Sequence, residues 1–244
     1  MTDHSREAAL ADIRTNIEKS GHHVYLILAE EYPRFAYTIG LNPVLGYELL
    51  FAGGADYANS EAVEILNVVA ERIPASGLAR GFVMPLGDLG SFSFREVHPS
   101  WANELMLGAL DYFGIANVAA RQIVPDEAHW TIDVPDTSVE WNPQSEPVWK
   151  CMHEPWTLPF SPDCTVTTNL AALRGARVTE AFRREEDQWE MFAGASNEID
   201  SESKRDVTLA TLFIADATLL PVTALAVGAG LRRLTPEGPW SPWN

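Results

Sequence analysis

The chain has 244 residues, 46% of them hydrophobic, which is apolar material for one large domain or two of ordinary size and excludes disorder as the main state. Seventeen Lys and Arg stand against 34 Asp and Glu, a formal net charge of −17, and a surface this negative repels nucleic-acid phosphates and anionic lipid. No nucleic acid and no membrane are therefore expected as partners.

Ala8, Leu10, Ile13 and Ile17 recur at helical spacing ahead of Gly21 and predict a first helix over Ser5 to Ser20. Three runs rich in β-branched and aromatic residues follow, His23 to Ala29, Phe35 to Leu41 and Glu48 to Ala52, separated by Tyr32-Pro33 and by Asn42-Pro43 with Gly46. They read as a meander. A second helix is predicted from Ser60, as N-cap, to about Arg72, and Phe92 to Val97 alternates like a strand. Ser100 is placed to cap a third helix running through Tyr112 to Gly114, and Val118 to Val124 reads as another strand.

Between Pro125 and Pro162 lie seven of the 16 prolines and four of the eight tryptophans, Trp130, Trp141, Trp149 and Trp156. Proline stiffens such a segment and tryptophan has apolar area to bury, so the connector is expected to wrap a domain surface and dock the two halves together. Beyond it, Thr165 to Thr168, Arg177 to Arg183 and Trp189 to Phe192 read as short strands, with a helical turn at Asn169 to Arg174. Asp206 to Phe213 and Thr218 to Leu225 read as helical, and Gly230 to Leu234 as an edge strand. The fold class expected is α+β: two docked modules, each a mainly antiparallel sheet with packed helices. The boundaries are 1–135 for the first module, 136–162 for the Pro/Trp-rich connector and 163–244 for the second.

The N-terminal stretch lacks the basic start and apolar core of a secretory signal, and the longest uncharged apolar run, Ala217 to Leu231, is broken by Pro221 and falls short of the ~20 residues a membrane span needs. The cytoplasm is the expected compartment. Two cysteines, Cys151 and Cys164, are too few for a disulfide scaffold, and reduced thiols are expected.

Reaction chemistry finds little support in the spacing. His22 and His23 are adjacent, and Cys151-Met152-His153 lacks the second close pair of a structural zinc site. A nucleophile elbow is missing, and Gly53-Gly54 and Gly87-Asp88-Leu89-Gly90 have neither the glycine spacing nor the lysine of a phosphate cradle. No catalytic residue, metal or cofactor is assigned. Two patterns stand apart. Gly40 interrupts the alternating run Phe35-Ala36-Tyr37-Thr38-Ile39-Gly40-Leu41, which suggests a bulge or a close backbone approach, and a polar Gln122 sits in a strand that ends at Pro125-Asp126. Tyr37, Thr38, Glu48, Gln122 and Asp126 are accordingly candidates for a pocket, serving an enzyme or small-ligand sensor as the alternative to a binding protein.

Residues 13 to 135 resemble the bacterial domain-of-unknown-function family 4262. The likeness lies in the helix ending at Gly21, the Phe35 to Leu41 string, Ile65-Leu66-Asn67 and Gln122-Ile123-Val124-Pro125-Asp126. Where that family has a His-Pro-Glu element this chain has Leu45-Gly46-Tyr47-Glu48, and no activity comes with the resemblance. Residues 164 to 240 resemble domain of unknown function 2185, grouped with predicted immunity proteins of bacterial toxin systems. Here the likeness lies in Val166-Thr167, Val178 to Arg183, the run Asp187 to Gly194 and Leu209 to Pro221. This resemblance implies a module that neutralises a toxin by binding it, with Trp189, Glu186 and Asp187 as contacts and an acidic stretch represented by Glu198, Asp200 and Glu202. The partner expected is thus a protein, a toxin domain in that reading, and the oligomeric state stays open. Residues 1–150 carry 9 basic and 21 acidic residues and 151–244 carry 8 and 13, so most of the excess charge lies in the first module and its connector.

Overall fold

Phe35, Tyr37 and Ile39 point to one face of a strand and Ala36 to the other, and this period of two organises the first half of the molecule. The computed structural model describes residues 3–73, 81–162 and 164–243. The first sheet is built from β1 (His23–Ile27), β2 (Phe35–Ile39), β3 (Glu48–Ala52), β4 (Val83–Pro85), β5 (Ser91–Glu96) and β6 (Ala120–Pro125), in the order β1-β2-β3-β6-β5-β4. All neighbours are antiparallel except β3 and β6. The meander of the first three strands is as expected.

Helices cover both faces of this sheet. On one, Ile13 of α1 (Asp3–Ser20), Trp101 and Leu105 of α4 (Pro99–Leu105) and Ala109 of α5 (Leu107–Phe113) pack on Phe35, Tyr37, Ile39 and Leu50. On the other, Ala62, Ile65, Leu66 and Val69 of α3 (Asn59–Arg72) pack on Ala36, Leu49, Phe51, Phe92 and Ile123. The short α2 (Asn42–Leu45) lies between β2 and β3. Gly40 has φ +120°, and a Cβ there would stand 2.9 Å from Cγ1 of Ile17, so the close approach expected of this glycine is that of α1.

The third helix departs from expectation. It breaks at Met106 (φ −107°, ψ 37°) into α4 and α5, and its cap is His98, whose Nδ1 accepts from the Ser100 amide at 3.2 Å. Pro99 at the first helical position presets the backbone there and moves the start one residue upstream of Ser100.

The second sheet contains β7 (Thr165–Asn169), β8 (Glu180–Arg183), β9 (Gln188–Phe192), β10 (Lys204–Thr208), β11 (Gly230–Arg232) and β12 (Ser241–Trp243), ordered β10-β7-β9-β8-β11-β12, with β7 and β9 parallel. Val166, Ala181, Trp189 and Met191 face a core closed by Leu173 of α6 (Leu170–Leu173) and by Leu209, Leu212 and Phe213 of α7 (Leu209–Ala215). Two expectations are corrected here. Lys204 to Thr208 is a strand and not the start of a helix, because the five residues pair one to one with β7 and the helix begins only at Leu209. Gly230 to Arg232 is not at the edge, since β12 pairs outside it; Pro242 is tolerated in β12 because that strand has a free side.

The segment between the sheets is tied down to both. Trp149, 1% exposed, packs edge-on against Trp101 and donates its indole N–H to the Asp133 carbonyl at 2.9 Å. Ile132 donates its amide to the Leu173 carbonyl at 2.7 Å, and Phe160 packs on Phe213 with ring centroids 5.0 Å apart.

Candidate functional site

Five residues singled out in the first module fall into four separate places. Glu48 is fully buried and its carboxylate accepts four hydrogen bonds: the Thr38 hydroxyl at 2.7 Å and the amides of Gly40, Leu41 and Asn42 at 2.9, 3.2 and 2.9 Å. Thr38 Oγ in turn accepts the Leu49 amide at 2.8 Å. Burial pushes the Glu48 carboxyl above its ordinary range, with these four donors pulling the other way. The pair clasps the turn after β2 to the start of β3. Gln122, also fully buried, donates to the Pro135 carbonyl at 2.8 Å and accepts from the Thr137 hydroxyl at 2.9 Å, fastening the connector to β6.

Asp126 caps a short 3-10 turn. It accepts the Ser91 amide at 2.7 Å and contacts His129 Nδ1 at 2.6 Å, and the His129 ring stacks on Tyr57. Burial acts to raise its pKa, but the bonds from His129 and Ser91 outweigh it and hold the carboxyl below its usual value. Asp126 therefore shares no pocket with Tyr37: Tyr37 belongs to the core with α4 and α5, whereas Tyr57, on which the Asp126 partner stacks, belongs to the core with α3.

Tyr37 does border a groove, of about 530 Å³, with Tyr25, Tyr32, Phe35, Glu104 and Asp111 among its walls. Tyr25 lies opposite Tyr37 in the β1–β2 register, and their rings stack at 5.7 Å and 12°. The break at Met106 gives α5 its own N-terminal turn, and the Gly108 amide of that turn donates to the Tyr37 hydroxyl at 3.0 Å. Burial raises the Tyr37 pKa, so the hydroxyl stays protonated. At the rim Arg6 forks onto Asp111, with Nε 2.9 Å from one carboxylate oxygen and an η-nitrogen 2.6 Å from the other.

A second cavity, of about 420 Å³, opens between the two sheets, with Arg34, Ala55, Asp133, Lys204 and Arg205 in its wall. Arg34 donates to the Gly54 carbonyl at 2.6 Å and to Asn59 at 2.9 Å, and Asp133 accepts the Ala55 amide at 3.1 Å. Arg205 reaches across from the second sheet to the Asp56 carbonyl at 2.8 Å. Burial raises the Asp133 carboxyl and lowers Arg34, each toward its neutral form. The Arg205 bond ties the second sheet to the first module, while the Arg34 and Asp133 bonds shape the first module's side of the cavity. Sequence reasoning misses them because the partners lie up to 149 positions apart.

In the second module the predicted contact residues are dispersed. Trp189 is 3% exposed and belongs to the core; the guanidinium of Arg183 lies 4.9 Å from its ring centre. Its ring offers nothing to a partner. Glu186 and Asp187 are exposed on the β8–β9 hairpin, where Arg183 donates to the carbonyls of Glu185 and Glu186. Glu198 and Asp200 are exposed beyond the other end of β9. The five residues of β9, about 14 Å of strand, separate the two acidic groups.

Among the described residues no group of three His, Cys, Asp or Glu side chains is placed to hold a metal ion, and no helix is long and apolar enough to cross a membrane. Residues 16–130 match the family model described as Domain of unknown function (DUF4262), which lies within the 13 to 135 span expected from the sequence. Neither the curated proteins nor the solved structures contain a match to this chain.

Proposed function

We propose that the protein is a non-enzymatic acidic binding protein of the immunity type, which neutralises a basic protein partner, a bacterial toxin domain, by occluding it. The observation that carries the reading is how the polar groups are spent. Glu48 and Gln122 are consumed in holding backbone, and Asp126 in closing a turn, while Glu186, Asp187 and Glu198 stand exposed in a chain of net charge −17, as does Asp200, which also caps a turn through the Glu202 amide. Such a surface accelerates encounter with a cationic partner, and the desolvated contacts then set the lifetime of the complex. The toxin part of the reading rests on the resemblance of residues 164 to 240.

The test is co-expression with the products of genes encoded beside this one. A partner that is bound at low salt, associates more slowly as salt rises, and loses its toxicity supports the reading. If no neighbour is bound or neutralised, the reading fails.

A further inference from the structure

We infer that the aromatic groove beside Tyr37 is the place where an arginine side chain of the partner docks. The inference rests on the reading of the protein as a binder of a basic partner, and it moves the decisive contact from the second module to the first.

Three features converge on a guanidinium. The first is the wall. Tyr25, 37% exposed, and the half-buried Tyr32 carry the open aromatic surface, backed by the buried Tyr37 and Phe35 on which they stack, and a planar cation is held best over an exposed ring. The second is charge. Glu104 stands exposed in the wall, and Glu30, Glu31 and Glu104 all lie near enough to Tyr32 to add to burial in raising its hydroxyl pKa. Among the described residues the Glu104 side chain has no hydrogen bond or ion pair. The third is precedent within the groove itself. Arg6 already forks onto Asp111 at the rim, with side chains 46% and 39% exposed, so a carboxylate of this groove already holds a guanidinium and Glu104 is left for a second one. A lysine satisfies the charge but not the stacking.

The probe is N-acetyl-arginine amide, titrated into the isotope-labelled full-length chain and followed by amide chemical shifts, with N-acetyl-lysine amide for comparison. The Gly108 amide, bonded to the Tyr37 hydroxyl, is a reporter built into the groove. We expect shifts concentrated at Tyr25, Tyr32 and Gly108, with tighter binding of the arginine probe. Y25A and E104Q should each weaken it about two- to five-fold, while Y25F retains it. R6A should tighten it, because Asp111 is released, an outcome that a purely structural role for these residues does not produce. Shifts spread evenly over the acidic surface, equal affinity for the two probes, or no loss in Y25A overturns the inference. A partner that binds the Y25A/E104Q double variant at full strength overturns the groove and leaves the binding reading standing. Arginine capture in the groove with no protein partner neutralised does the reverse.

Discussion

The two sheets share a plan and differ in what covers them. Each has six strands among the described residues, with a single parallel pair set among antiparallel neighbours. The first lies between helices, with a core on either face, whereas the second has one core and presents its other face outward. One register of that outer face runs Asp206, Thr167, Glu190, Phe182, Gly230 and Trp243 across all six strands. The lesson concerns polar groups. A sheet buried on both sides must satisfy its carboxylates and amides internally, so they become structural, while a sheet with an open face leaves them for solvent or a partner.

If that contrast is right, removing an internal carboxylate from the first module should cost far more than changing the open face of the second. In E48A three backbone amides and the Thr38 hydroxyl lose their acceptor, two of these bonds being fully buried and two half-buried, at about 1–3 kcal/mol for each buried group left unpaired. We expect a loss of about 5 kcal/mol, read as an early transition in chemical denaturation. E48Q keeps one acceptor oxygen and should cost less. A loss below about 1 kcal/mol in E48A would break the contrast. Next in size is W149A, which empties the space between Trp101, Phe35 and Tyr32 and abandons the Asp133 carbonyl. A buried Trp-to-Ala change costs about 3–5 kcal/mol, and limited proteolysis should then cut within 136–162 before either sheet.

The open face supplies a smaller test. A Cβ at Gly230 would stand 2.8 Å from the Phe182 ring and 3.1 Å from the Trp243 carbonyl, where the two rings close over the glycine. Phe182 is half-exposed and has room to move, so G230A should cost about 1–3 kcal/mol, and most of that should appear as detachment of β12. Quenching of tryptophan emission by iodide reads the exposure of Trp243. Global unfolding of the second sheet in G230A would show that its edge is as constrained as the first module's interior.

Where each residue could be read from its neighbours, the sequence was legible. The meander is plain because each strand is a short apolar or aromatic run bounded by Pro33, Pro43 or Gly46. The strand at Lys204–Thr208 hides because its ladder partner lies across the β7–β9 segment, and β4 and β12 hide because each has three residues, one of them proline. The break at Met106 is only weakly marked, since Leu105 and Leu107 on either side favour helix and only Gly108 argues against it. Trp189 is instructive, since its alternation with Gln188, Glu190 and Met191 already signals a core position, whereas the family resemblance places it among the contacts. Thr38 and Glu48 stand out in the sequence, but their clasp depends on how the turn at Gly40 to Asn42 curls. The groove needs the β1–β2 register, which places Tyr25 beside Tyr37.

The smallest effect sharpens the comparison inside the first module, where Asp126 and Glu48 carry opposite pH signatures. Hydrogen bonds hold the Asp126 carboxyl below its ordinary value of 3.8 in the folded chain, so near that pH the unfolded state binds more protons and stability rises with pH. Its contribution is therefore complete above 3.8 and disappears as pH falls through the folded value. Glu48 is displaced upward by burial, so its titration favours the folded state below its ordinary value of 4.5, and that contribution fades as pH rises through the folded value. Asp126 is a third exposed, which limits the effect to less than about 1 kcal/mol. The measurement is the denaturation midpoint of wild type minus D126N between pH 3 and 7. It should be flat at the upper end and shrink toward the acid end, whereas wild type minus E48Q should slope the other way. Parallel slopes for the two variants would mean that both carboxylates meet the same surroundings, which a clasp inside the sheet and a cap at its rim do not provide.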